Sequence, residues 1–181
     1  MRPLYEIDLG PLELLLGEWK GNQGKDLSPE PDDTERNSYY ETLIFEEVGR
    51  VKNAEEQYLA GISYTQIVQR STNDKMFHHQ HGYWTWDKEN NTVNHTFCIP
   101  RGVAIMATGP VKQEGEGYIF DVKASANDIM QAPFMEQKAK TKAFNMTLSI
   151  SKSGISYQQM TLLDIYGREF EHTDTNVLSK A

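Results

Sequence analysis

Phe144, Met146, Leu148 and Ile150 alternate with Asn145, Thr147 and Ser149. Apolar side chains at every second position put one face of a strand on a core and the other in water. Strand-like texture recurs over residues 40–48, 56–70, 75–86, 92–99, 103–108, 117–124, 155–165 and 168–172. Turn residues separate these runs: 71–74, 87–91, Pro100-Arg101-Gly102, Gly109-Pro110 and Lys152-Ser153-Gly154. Consecutive strands joined by short turns predict an antiparallel meander. Closing the meander into a barrel removes its exposed edges. The predicted fold class is therefore all-β: one up-and-down antiparallel barrel of about ten strands, lipocalin- or fatty-acid-binding-protein-like. A barrel of that size can hold one small ligand. A length of 181 residues fits a single domain over residues 1–181, with the meander at 39–181.

Two segments precede the meander. Residues 9–17 read as a short helix that starts near Pro11 and stops at Gly17. Its Leu12, Leu15 and Leu16 would plug one end of the barrel. Residues 22–38 carry Gly24, Pro29, Pro31 and the acidic Glu30, Asp32, Asp33 and Glu35, which predicts a solvated loop. Residues 127–137 read as a loop with about one helical turn.

The net charge of −8 argues against nucleic acid and against an anionic membrane surface, since both need clustered Lys and Arg. The lone Cys98 has no partner for an internal disulfide, and a free cysteine is expected to be a small buried hydrophobe. Neither the first residues nor any later stretch has the apolar length of a signal or membrane-spanning segment. A cytoplasmic protein, monomer or homodimer, is the expectation. The sequons at Asn90, Asn94 and Asn145 are then chance matches.

Residues 76–86 hold three of the five histidines and two of the three tryptophans. Alternation splits them: His78, Gln80, Gly82, Trp84 and Trp86 share one face, and His79, His81, Tyr83 and Thr85 the other. The histidines cannot all converge. His79 and His81 have the i, i+2 spacing to chelate a metal, but no third ligand is placed beside them, and surface residues are expected. His95 alternates with Val93, Phe97 and Ile99; it is either a satisfied core histidine or a ligand contact. Arg101 is either a turn residue or the partner of a ligand carboxylate. His172 is either a terminal polar residue or an imidazole that can bind haem iron. Over residues 155–166 neither face is uniformly apolar, and Tyr157 and Thr161 share one face with Gln159. A cavity with a few polar groups tolerates this mixture. No nucleophile elbow, zinc-protease helix or phosphate-binding loop occurs.

Leu15-Leu16-Gly17-Glu18-Trp19-Lys20-Gly21-Asn22-Gln23-Gly24 resembles the opening of the nitrobindin family, and Phe77-His78-His79-Gln80-His81-Gly82-Tyr83-Trp84 resembles its second block. These are haem-binding β-barrels, and the resemblance spans most of the chain in order. It implies haem b as cofactor, with His172 close to the position of the axial ligand and His78 at a cavity histidine. Two further cavity positions fall on Ile99 and Thr161. Here the ligand segment reads Glu171-His172-Thr173-Asp174, unlike the usual His-Leu pattern, and the segment after Gly21 is more acidic. The expected function is binding of a small hydrophobic ligand, haem foremost. The alternatives are a haem-free carrier of a fatty acid or other apolar anion through Arg101, with His95 and Tyr157 in the pocket, and a haem-dependent peroxynitrite isomerase.

Overall fold

The computed structural model describes residues 8–181. Residues 1–7, on which the reading of the N-terminus rests, lie outside the described residues.

Eleven strands form one antiparallel sheet: β1 (Gly17–Pro29), β2 (Thr34–Asn53), β3 (Gln57–Arg70), β4 (Met76–Asp87), β5 (Thr92–Ile99), β6 (Val103–Glu114), β7 (Gly117–Ala124), β8 (Ile129–Gln131), β9 (Ala139–Ser151), β10 (Gly154–Ile165) and β11 (Arg168–Lys180). Each long strand pairs with its sequence neighbours, β1 pairs with β11, and the β5–β6 ladder completes the ring. The result is a closed ten-stranded barrel, with short β8 added on β6. The alternation that predicts β9 is present: Phe144, Met146, Leu148 and Ile150 are buried.

The expected N-terminal helix is a 3₁₀ helix, Gly10–Leu15, with Pro11 at its start. Leu12 and Leu15 are fully buried with Trp19, Ile62 and Trp84, and this cluster closes one end of the barrel. Trp19 Nε1 donates to the Leu15 carbonyl at 2.7 Å, so the indole both packs the plug and ends it. Gly10 has φ +53° and lies under Trp86, where a Cβ would stand 2.2 Å from the ring. Only glycine satisfies both demands.

Two expectations fail. Residues 22–38 are not a loop. β1 runs to Pro29 and β2 starts at Thr34, with Asp26 opposite Asn37 and Leu27 opposite Arg36. The strand signal is hidden because the inward residues here are Gly24 and Asp26, both buried. An apolar alternation cannot be read where the interior is itself polar. Cys98 is exposed rather than buried. Val93, His95 and Phe97 face inward on β5, so Cys98 must face out. The segment 127–137 folds as β8 and helix α1 (Pro133–Lys138). No helix among the described residues is long and apolar enough to cross a membrane.

Candidate ligand-binding site

Strand register sorts the barrel into two halves. Trp86 and Val93 pair at the plugged end, next to the 3₁₀ helix. His78 lies eight residues before Trp86 on β4, and at about 3.3 Å per residue that places it near the opposite end. Ile99 ends β5 at that same opposite end, and Arg101 follows in the exposed β5–β6 turn. On β11, His172 is eight residues from Lys180, which pairs with Trp19 at the plug. Thr161 is in register with both His172 and Phe144. The barrel therefore brings His78, Ile99, Arg101, Thr161 and His172 to the end away from the plug, which is open: the inward His78, Ile99, Thr161 and His172 are all partly exposed there. His95 and Tyr157 lie deeper, both buried.

Three polar constellations line the interior. The first surrounds His172. Its Nε2 donates to Asp26 Oδ1 at 2.7 Å and stands 3.5 Å from Asp174 Oδ2. Ser28 and Asn37 donate to Asp26 Oδ2, and Gln159 donates to Asp174 Oδ2. Burial opposes charge on His172, but the bond to Asp26 and the field of the two carboxylates outweigh it and raise the imidazole's pKa. Burial likewise works against ionised Asp26, yet the hydrogen bonds from His172 and Asn37 hold its carboxyl below the usual range. Asp174 moves the other way because burial dominates.

The second constellation is a directed chain from the open end into the core. His78 Nε2 donates to Gln80 Oε1 at 3.2 Å, Gln80 Nε2 donates to the Tyr64 hydroxyl, and that hydroxyl donates to His95 Nε2 at 2.6 Å. Burial lowers the His78 pKa to about 4 and that of His95 to about 3, so both are neutral near pH 7. His95 stacks on Trp84 with centroids 4.0 Å apart and planes 7° apart. Its Nδ1 has no hydrogen-bond partner among the described residues. The positive charge of Arg101 works against protonation of both His78 and His172, although His172 is raised on balance.

The third is centred on Glu41, which is 1 % exposed. Gln66 Nε2 donates to it at 2.6 Å, Asn176 Nδ2 at 2.9 Å and Tyr157 Oη at 3.1 Å. Tyr157 also shares a 2.8 Å hydrogen bond with Tyr39. Burial pushes the Glu41 carboxyl up to about 7 despite three donors.

His79 and His81 lie on the outer face. His81 is exposed and shares a 3.0 Å hydrogen bond with Thr65. The outer wall also carries a groove of about 830 Å³ beside Lys20, Thr42, Ser149, Ser156 and Val177, at positions that alternate with buried ones. None of its lining residues is a histidine.

Sequence reasoning missed Asp26, Asp174, Glu41, Gln66 and Asn176. Asp26 was hidden in the acidic segment. Asp174 had a usable signal, since it stands two residues after His172 on the same strand face. Glu41 lies between inward Tyr39 and Leu43 and Gln66 between Tyr64 and Val68, while Asn176 continues the polar inward face of β11 that carries His172 and Asp174.

No curated protein matches the chain. The crystal structure of Rv2717c from M. tuberculosis has the same fold, with a TM-score of 0.73 over 94 % of each chain at 21 % identity. The THAP4-like, heme-binding beta-barrel domain matches residues 8–180. The closed barrel and this match over nearly the whole described length agree, and the chain belongs to the family of THAP4-like, haem-binding β-barrel domains.

Proposed function

We propose that this barrel binds haem at its open end, with His172 as the axial ligand. The supporting observation is the inward imidazole of His172, which register places at the open end beside Thr161 and Phe144. The donor set fits the group in residue type: a histidine nitrogen for iron, apolar Phe144 and Ile99, and Arg101 to meet a carboxylate. It fits on one condition. Nε2 is the nitrogen held by Asp26 at 2.7 Å, so the imidazole must leave that carboxylate to ligate iron. Asp26 keeps Asn37 and Ser28 as partners when it does so. Bound ferric haem would supply an iron centre able to meet nitric oxide or peroxynitrite, as the resemblance to nitrobindins implies. His78, neutral near pH 7, offers an uncharged polar group at the same end.

The test is a titration of the purified protein with ferric haem, read at the Soret band. A saturable shift is expected in the wild type and its loss in His172→Ala. No shift in the wild type refutes haem binding. A shift that persists unchanged in His172→Ala refutes the ligand assignment.

A further inference from the structure

We infer that Asp26, His172 and Asp174 form a binding site for one divalent metal ion, which competes with haem for the same imidazole nitrogen. One ligand atom from each residue lies within 4.8 Å of the others. The backbone makes this grouping unavoidable. Asp26 on β1 is in register with Asp174 on β11, and His172 precedes Asp174 by two residues on the same face. Like charges directly opposite on a ladder destabilise it unless a counter-charge is present. Here both carboxylates are largely withdrawn from water, with side-chain exposures of 4 % and 14 %. Among the described residues, His172 is the only basic side chain in an ion pair with either carboxylate. A buried pair of carboxylates served by one imidazole is a site short of positive charge.

The spacing suits a metal. Tetrahedral ligands about 2.1 Å from zinc stand about 3.4 Å from one another. The two pairs sharing His172 Nε2 measure 2.7 and 3.5 Å, on either side of that value. To admit the ion, the shorter pair must open by about 0.7 Å, and the two carboxylate atoms, within 4.8 Å of each other, must take up the same spacing. Asn37, Ser28 and Gln159 already fix the carboxylates from behind, as partners outside a metal's own ligand set do. Two carboxylates and one imidazole select a hard or borderline divalent ion such as Mn²⁺, Fe²⁺, Co²⁺ or Zn²⁺ over a soft one, and three protein ligands leave a coordination position open. On binding, the proton that Nε2 donates to Asp26 goes to solvent and the nitrogen lone pair goes to the metal.

The metal site holds whether or not haem binds, while the competition rests on the proposed haem reading, and the two are tested separately. Haem-free protein is titrated with Zn²⁺ by calorimetry and with Co²⁺ by visible absorption. One ion per chain is expected, with affinity at least tenfold weaker in each of Asp26→Asn, Asp174→Asn and His172→Ala. Thermal unfolding confirms that each variant is folded. The double variant His79→Ala/His81→Ala serves as control and should bind as the wild type does. Saturating Zn²⁺ should weaken the Soret response at least tenfold. Absence of binding overturns the site, as does binding undiminished in Asp26→Asn or Asp174→Asn, or lost in the His79/His81 control. A Soret response without Zn²⁺ binding overturns the metal site alone, and Zn²⁺ binding without a Soret response overturns the haem reading alone.

Discussion

Glu41→Gln should change the pH dependence of stability, and the size of the change follows from burial. The Glu41 carboxyl ionises near 4.5 when exposed and near 7 inside the barrel. The folded state therefore holds its proton more tightly than the unfolded state does. The stabilising contribution is full below about pH 4.5 and is lost as pH rises through about 7. Over that window the loss amounts to about 3 kcal/mol, from about 1.4 kcal/mol per tenfold change in proton affinity. Glutamine cannot ionise. It carries an offset of its own, because Gln66, Asn176 and Tyr157 all donate to Glu41 and an amide nitrogen would face one of them. That offset does not vary with pH. Urea denaturation of both proteins from pH 4.5 to pH 8 isolates the carboxyl, because His78, His95 and His172 titrate alike in both. The stability of Glu41→Gln relative to wild type should rise by about 3 kcal/mol across the range. A constant difference at every pH would show that Glu41 ionises normally and would refute the account of the polar interior.

Gly109→Ala should cost at least about 2 kcal/mol in urea denaturation, since its Cβ would lie 1.8 Å from the Asp121 carbonyl oxygen and backbone cannot swing aside. A loss below about 0.5 kcal/mol, the range of ordinary surface substitutions, would contradict that packing. Cys98, exposed on the outer face of β5, should react with a thiol reagent in native protein as completely as in urea; native-state protection would contradict its placement.

The barrel was legible in the sequence wherever the interior is apolar. Phe144 to Ile150 declares its strand because core and solvent differ at every step. The strands around residues 22–38 did not, because Gly24 and Asp26 face inward and leave no contrast to read. The same polarity concealed most of the candidate site. His78 and His172 stood out as histidines, and register brings both to the open end. Their governing partners come from remote strands. Asp26 meets His172 across 146 positions of sequence, and Glu41 meets Asn176 across 135. Local spacing carries no trace of such pairs; only barrel closure through the β1–β11 ladder creates them. The mixed faces of residues 155–166 were a local hint, as was the spacing of Asp174 from His172, and Gln159 and Tyr157 prove to belong to those networks.

The central claim is that the inward imidazole at position 172 makes this open end a haem site. Replacing it with a cavity and returning imidazole from solution tests that claim most directly. His172→Gly should fail to shift the Soret band of ferric haem, and added imidazole should restore the wild-type spectrum by occupying the vacated position. Haem binding by His172→Gly with the wild-type spectrum and no response to imidazole would contradict the account.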